Sequence, residues 1–208
     1  MCFPFTAQCA PSTGTRVAAV RHVPGGAESL YVRGAKMSEP IRQAVNGLPE
    51  DINDWMALVT AVRRSFPGLE TAQALDAHRA TVLRFMAKGQ ALCVRDGAAL
   101  AGVLLYSVRH NMICCLAVAP AFRRRGVASL LMTEALRQLD CTAEITVSTF
   151  RAEDEKGTAP RALYKKFGFG EGALTVEMGY PCQQFVLSPA ATAGAPEGVS
   201  RPADGTRA

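Results

Sequence analysis

Residues 122–128 read FRRRGVA and carry the clearest chemistry in the sequence, because three successive arginines run directly into a glycine. The segment follows an apolar run and precedes SLLMTEALRQL, whose apolar residues have helical spacing. The free N–H groups at the start of a helix, together with the helix dipole, bind anions. Gly126 and Ala128 would leave room for a phosphate to approach the main chain. The pattern therefore predicts a phosphate-binding turn.

Two other interpretations of this turn were weighed. A solvated charged turn explains the arginines but not the glycine, which costs about 1 kcal/mol relative to alanine at a helical position. A nucleic-acid site is disfavoured because the patch is short and has no interleaved aromatic residues for base stacking. The chain also has neither G-x-G-x-x-G nor G-x-x-x-x-G-K-[ST], which argues against NAD and against a nucleotide held by its triphosphate.

The composition is that of an ordinary globular protein: 208 residues, 49% hydrophobic and 20% charged, with a formal charge of +5. No apolar run approaches the roughly 18–20 residues that cross a bilayer, and the first residues do not resemble a secretion signal. We therefore expect a cytoplasmic protein that binds neither membranes nor nucleic acid. Seven cysteines without a C-x-x-C pair, and three scattered histidines, predict neither a disulfide framework nor a metal site.

The elements that must position the turn alternate along the chain. The patterns predict a strand at 40–45, helices at 51–66 and 71–87, a hairpin at 91–108 around Asp96-Gly97, and a buried strand at 111–118. They then predict a helix at 126–139, a strand at 143–150, a helix at 160–167 and a last strand near 183–187. Asp51 or Asn53 is expected to cap the first helix. This order indicates an α/β fold of the α+β type, a mixed sheet covered on both faces.

The two ends of the chain differ from the middle. Residues 1–36 are rich in Gly, Ser and Pro without a clear period, and 189–208 form a polar low-complexity tail. We predict that both ends are disordered and that residues 37–188 form one domain.

With these motifs in place, the sequence resembles the GNAT superfamily of N-acyltransferases. The family signature is a strand with a hydrophobic-x-V-x-P ending followed by [Q/R]-x-x-G-x-[G/A], matched here by LAVAP at 116–120 and RRRGVA at 123–128. A second family motif, L-Y-x-x-x-G-F, is matched by LYKKFGF at 163–169. The resemblance extends over about residues 38–187 and implies a mixed sheet whose two central parallel strands, at 112–118 and 143–149, splay apart.

The resemblance further implies that acetyl-CoA is the co-substrate and that a primary amine attacks its thioester directly, without an acyl-enzyme. Tyr164 is then the general acid for the CoA thiolate. The residues expected to hold the cofactor are Leu116, Ala117, Val118, Arg123, Arg124, Arg125, Gly126, Val127, Ala128 and Ser129.

The base that deprotonates the amine stays open among four residues. Glu144 opens the second central strand and is the candidate chosen here, while Glu70, Glu153 and His110 are alternatives, as is proton transfer through water. One position departs from the family: many relatives have an asparagine seven residues before the motif tyrosine, and here that position is Gly157.

The acceptor is a small-molecule amine or a protein amine, and the segment 55–88 is expected to line its pocket. Arg63 and Arg64 in that segment are explained equally by an acidic acceptor, by CoA, or by surface solvation. The competing hypothesis is a CoA-binding regulatory module that no longer transfers acetyl groups. A monomer or a homodimer is expected.

Overall fold

The computed structural model describes residues 43–189, which form a seven-stranded sheet with helices on both faces. The strands are β1 (Val45–Asn46), β2 (Ala91–Asp96), β3 (Ala99–Ser107), β4 (Met112–Val118), β5 (Ile145–Phe150), β6 (Gly170–Glu177) and β7 (Tyr180–Leu187). The helices are α1 (Ile52–Val62), α2 (Ala72–Ala87), α3 (Val127–Gln138) and α4 (Thr158–Lys166). The disorder predicted for 1–36 and for the tail from 190 onward lies outside the described residues.

The sheet has the order β1-β2-β3-β4-β5-β7-β6. Its neighbours pair antiparallel except β4 and β5, which are parallel and are joined through α3. One face of the sheet packs against α1 and α2, and the other packs against α3 and α4. This mixed sheet, covered on both faces, confirms the predicted fold class.

The β2–β3 hairpin forms where the sequence predicts it. Gly97 in its turn has a φ of 60°, a conformation that glycine adopts without steric cost. Further along β3, Gly102 lies opposite Val118 of β4. A β-carbon on Gly102 would lie 2.5 Å from Cγ1 of Val127. The missing side chain therefore lets the first turn of α3 pack directly over the end of β4.

The start of α1 is held by a network rather than by a side-chain cap. Asp51 occupies the N-cap position, but its side chain makes no capping bond. Its carboxylate instead accepts a hydrogen bond from the Leu48 N–H at 2.8 Å and pairs with Arg95 of β2 at 2.5 Å. The side chain of Asn53 accepts a bond from Arg79 on α2. The predicted cap was therefore wrong in its chemistry, although the helix begins where it was expected.

Two strand predictions need correction. The strand expected at 40–45 is reduced, in the described residues, to the two residues of β1. No strand was predicted at 170–177, where β6 lies. Leu174 and Val176 of β6 are largely exposed, while Thr175 and Glu177, which alternate with them, are partly buried. This inverted alternation, on an edge strand that contains two glycines, removes the usual apolar-in pattern of a strand.

Candidate active site

The two central strands separate after only two paired positions. β4 and β5 align at Met112 with Thr146 and at Ile113 with Val147, although β4 continues to Val118 and β5 to Phe150. Beyond Ile113, the residues of β4 form no ladder pairs with β5. The predicted splayed pair is therefore present, and it opens toward the carboxyl ends of both strands.

A β-bulge at Cys114 lies where the strands part. In the β3–β4 ladder Leu105 aligns with Cys115 and Tyr106 with Ile113, so that Cys114 is the extra residue. Cys114 and Cys115 both pack into the core beneath α1 and α2, whereas Ile113 packs on the opposite face. The bulge therefore changes which face of the sheet the following side chains of β4 occupy, at the start of the gap.

The arginine–glycine turn forms the predicted helix start. Gly126 precedes α3 with a φ of 83°, and Arg124 also has a positive φ of 60°. The first intrahelical bond runs from the Leu130 N–H to the Gly126 carbonyl, which leaves the N–H groups of 127–129 without an intrahelical acceptor. A β-carbon on Gly126 would meet no atom within 4 Å. The turn therefore presents free donors beside open space.

The three arginines of this turn differ in their contacts. Arg125 pairs with Asp96 of the β2–β3 hairpin at 3.3 Å, and its guanidinium lies 5.2 Å from the centre of the Phe122 ring. Arg123 and Arg124 are exposed and form no ion pair with a residue of the described range 43–189. Two of the three charges are thus available to an anion at the start of α3.

Tyr164 projects from α4 into the core at the splayed strands. Its side chain is 2% exposed and contacts Phe169 and Phe185, with ring centres 6.0 Å and 5.8 Å away. Burial and, to a lesser degree, the Cys115 thiol raise the pKa of Tyr164 well above its usual value. Phe185, which contacts Tyr164, aligns with Val147, the last residue of β5 that pairs with β4, so Tyr164 lies near the point where the two strands part. The phenol is protonated at neutral pH and can donate a hydrogen bond there.

A buried arginine fixes α4 against the sheet. Arg161, one turn before Tyr164, donates to the Gln183 side chain of β7 at 2.6 Å and to the Phe150 carbonyl of β5 at 3.4 Å. It also pairs with Glu171 of β6 at 2.7 Å. These contacts connect α4 to three strands and set the position of Tyr164.

Part of the segment 55–88 lines a pocket, and the use of this pocket by an acceptor stays a prediction. A pocket of about 330 Å³ lies between the α1–α2 connection and the β6–β7 hairpin. Its lining consists of Arg63, Arg64, Phe66, Pro67, Glu70, Lys156 and Tyr180. The ammonium of Lys156 lies 5.8 Å from the Tyr180 ring centre. Three basic side chains therefore surround this pocket, against one carboxylate.

The four sequence-predicted base candidates do not gather at the gap. Glu144 is exposed and directly precedes the paired ends of the central strands. His110 lies in the β3–β4 turn at the same end. Glu153 is exposed in the β5–α4 connection, and Glu70 in the pocket accepts a hydrogen bond from the Gly68 N–H at 3.0 Å. The structure thus places Glu144 at the closed end of the strand pair.

Sequence reasoning missed a fourth carboxylate, Glu177 on the inverted strand β6. It is partly buried and accepts a hydrogen bond from Ser148 of β5. Burial raises the pKa of Glu177, and the bond from Ser148 opposes that rise. The sequence feature that could have revealed this strand is ALTVE at 173–177, in which Thr175 and Glu177 alternate with apolar residues.

Two further features are absent from residues 43–189. That range contains no group of three or more His, Cys, Asp and Glu side chains arranged to hold a metal ion. None of its helices is long and apolar enough to cross a membrane.

A splayed parallel pair, a helix start with free N–H groups and a buried tyrosine make up the candidate site. Residues 87–171 match the family model described as an acetyltransferase (GNAT) domain. This match, over 85 of the 208 residues, agrees with the resemblance to the GNAT superfamily seen in the sequence. A comparison with curated protein sequences gives no match.

Solved structures with the same fold include a GNAT-family acetyltransferase from Bacillus cereus ATCC 10987, with a TM-score of 0.56, 18% identity, and coverage of 71% of this chain and 97% of that one. An N-acetyltransferase from Staphylococcus aureus Mu50 has a TM-score of 0.56 at 18% identity, with coverage of 70% and 100%. The PaiA N-acetyltransferase from Thermoplasma acidophilum, in complex with coenzyme A, has a TM-score of 0.52 at 13% identity, with coverage of 70% and 98%.

Proposed function

We propose that this protein transfers the acetyl group of acetyl-CoA to a primary amine, by direct attack of the amine within a ternary complex. The observation that carries the proposal is the gap between β4 and β5, which opens toward the carboxyl end of β4 and the free helix start at Gly126. The match of residues 87–171 to the acetyltransferase (GNAT) domain model supports acetyl transfer as the reaction class.

In this proposal acetyl-CoA lies along β4. The N–H groups of residues 124–129 and the side chains of Arg123 and Arg124 hold the pyrophosphate. The main chain of Leu116, Ala117 and Val118 hydrogen-bonds the pantetheine arm on the side that faces the gap. Arg125 contributes positive field, although its guanidinium is already paired with Asp96.

In this proposal Tyr164 protonates the leaving group, the CoA thiolate. As the C–S bond breaks, the CoA sulfur gains negative charge, and a phenol that stays protonated can donate a hydrogen bond to it and then its proton. A main-chain N–H at the Cys114 bulge is placed to stabilise the oxyanion of the tetrahedral intermediate. No cysteine nucleophile is required, because the amine itself attacks the carbonyl carbon.

The acceptor enters from the 330 Å³ pocket beneath the β6–β7 hairpin. Arg63, Arg64 and Lys156 outnumber Glu70 in its lining, which favours an amine that carries an anionic group away from its reactive nitrogen. The cytoplasmic location and the monomeric or dimeric state remain predictions.

The test is a screen of amines with acetyl-CoA, in which the release of free CoA thiol is measured alongside the acetylated product. We expect wild-type protein to acetylate at least one alkyl amine, and Tyr164→Phe to lower kcat by roughly 10²-fold or more with little change in the KM for acetyl-CoA. Binding of acetyl-CoA without transfer to any amine would instead support the regulatory-module alternative.

A further inference from the structure

Glu177 is a carboxylate that the proposed reaction has not yet used. Its Oε2 is shielded from solvent and has no hydrogen-bond partner among the described residues. Buried polar atoms are nearly always paired, so an orphan carboxylate oxygen indicates a water or ligand position. The pairing of its other oxygen with Ser148 holds the side chain in place.

The β6–β7 hairpin brings Glu177 over the face of the sheet that carries the pocket. At its turn, Met178 packs so closely on Gly68 that a β-carbon there would lie 2.1 Å from its Cε. Tyr180 packs edge-on against Phe150 of β5, with ring centres 5.4 Å apart. The end of the hairpin therefore bends toward the α1–α2 connection and toward β5.

Two register relations then place Glu177 between the pocket and the gap. Tyr180, which lines the pocket, is the cross-strand partner of Glu177. Ser148, which donates to Glu177, directly follows Val147, the last residue of β5 that pairs with β4. These two relations connect Glu177 to a residue that lines the pocket and to the point where the gap begins.

We propose that Glu177 accepts the proton that the acceptor ammonium must lose before it can attack acetyl-CoA. This inference rests on the proposed function. The proton passes from R–NH3+ to the carboxylate, directly or through one water at Oε2. The freed nitrogen lone pair then forms the C–N bond, and the C–S bond breaks. The CoA sulfur takes the proton of Tyr164, and the remaining excess proton on nitrogen returns through solvent to the tyrosine oxygen.

Other charged groups surround Glu177. Burial and, to a lesser degree, the neighbouring Glu177 carboxylate raise the pKa of the Cys182 thiol of β7. Arg151 donates to the carbonyls of Cys182 and Thr175. On the hairpin Tyr180 donates to Asp154, beside Lys156. From the α1–α2 connection the pocket presents Arg63, Arg64 and Glu70.

The experiment uses Glu177→Gln, which keeps the shape of the side chain. The matched control is Glu50→Gln, which changes an exposed carboxylate that is distant in sequence. The probes are two isomeric amines that each carry a carboxylate: 4-(aminomethyl)benzoate, an alkyl amine that is protonated at pH 7, and 4-aminophenylacetate, an aryl amine that is not. We expect Glu177→Gln to lower kcat/KM for the alkyl amine by roughly 10²-fold, with a change below about threefold for the aryl amine, which needs no deprotonation. Glu50→Gln should leave both values unchanged.

A second variant tests the same carboxylate without removing it. The Ser148 hydroxyl lowers the pKa of Glu177, so Ser148→Ala should move the acidic limb of the kcat/KM profile to higher pH. An equal loss with both amines, or an unmoved acidic limb, would overturn the assignment of Glu177. Acetyl-CoA-induced stabilisation of wild type and Glu177→Gln is measured in parallel. If wild type lacks that stabilisation and acetylates neither probe, the proposed function fails together with this inference.

Discussion

The α-carbon of Gly157 faces the main-chain oxygen of Arg151 so closely that a β-carbon on Gly157 would lie 2.8 Å from it. Gly157 has a φ of −75°, which every residue type can adopt, so that only the lack of space requires glycine here. This is the position where many members of the superfamily have an asparagine. The departure therefore has a structural cause, because the 151–157 loop folds back over the start of α4.

Gly157→Asn should accordingly destabilise the protein without improving cofactor binding. We expect the free energy of unfolding to fall by about 1–3 kcal/mol, as is usual for overpacking a buried site. Urea unfolding measures that change, and Thr158→Asn, on the exposed neighbouring residue, is the control. A Gly157→Asn protein that is as stable as wild type and binds acetyl-CoA more tightly would contradict this account of the loop.

Gly126→Ala should weaken acetyl-CoA binding in addition to lowering stability, whereas backbone strain elsewhere should lower stability alone. Gly126 and Gly89 both have a positive φ, of 83° and 64°, and a β-carbon on either would meet no atom within 4 Å. Each alanine should therefore cost about 1–2 kcal/mol of stability. Only Gly126→Ala should also raise the Kd of acetyl-CoA, by about tenfold if 1.4 kcal/mol of binding is lost. Titration calorimetry on both variants decides between the two effects; equal Kd values would remove Gly126 from the binding site.

Much of this site could be predicted from local sequence. The apolar strands at 91–118, the Asp-Gly turn and the arginine–glycine turn have short-range physical causes, and they formed as predicted. The bulge at Cys114 could not be predicted, because two adjacent cysteines in an apolar run do not reveal that they share a face. Glu177 was missed for a different reason. Its contact with Ser148 depends on the bend of a hairpin that is distant in sequence, and Glu177 lies on a strand whose polar residues face inward.

The cysteines at the gap should carry no acetyl group during turnover. Burial raises the pKa of Cys114 to about 12, so almost none of it is thiolate, the nucleophilic form, at neutral pH. Protein incubated with radiolabelled acetyl-CoA in the absence of an amine should yield no labelled peptide that contains Cys114 or Cys115. A label in that peptide that hydroxylamine removes would indicate an acyl-enzyme and would exclude direct attack.

His78 should make stability depend on pH. Burial lowers the pKa of this α2 residue from 6.5 to about 4. Between these values the unfolded chain binds a proton that the folded chain does not, so stability is complete above about pH 6.5 and falls as the pH drops toward 4. The loss should approach about 3 kcal/mol, and His78→Gln should remove it. Urea unfolding at pH 7 and pH 5 measures the slope; identical slopes in both proteins would show that His78 is not its source.

The central claim is that the gap beside Gly126 binds acetyl-CoA, and thermal unfolding with added acetyl-CoA tests it most directly. At one hundred times the Kd, a ligand that binds only the folded state adds about 2.7 kcal/mol of stability. For a domain of this size that raises the Tm by several degrees. We predict such a rise with acetyl-CoA and with CoA for wild type, and a smaller rise when Arg123 and Arg124 are both replaced by alanine. No change in Tm at millimolar acetyl-CoA would contradict the account and would leave residues 122–128 as a charged turn.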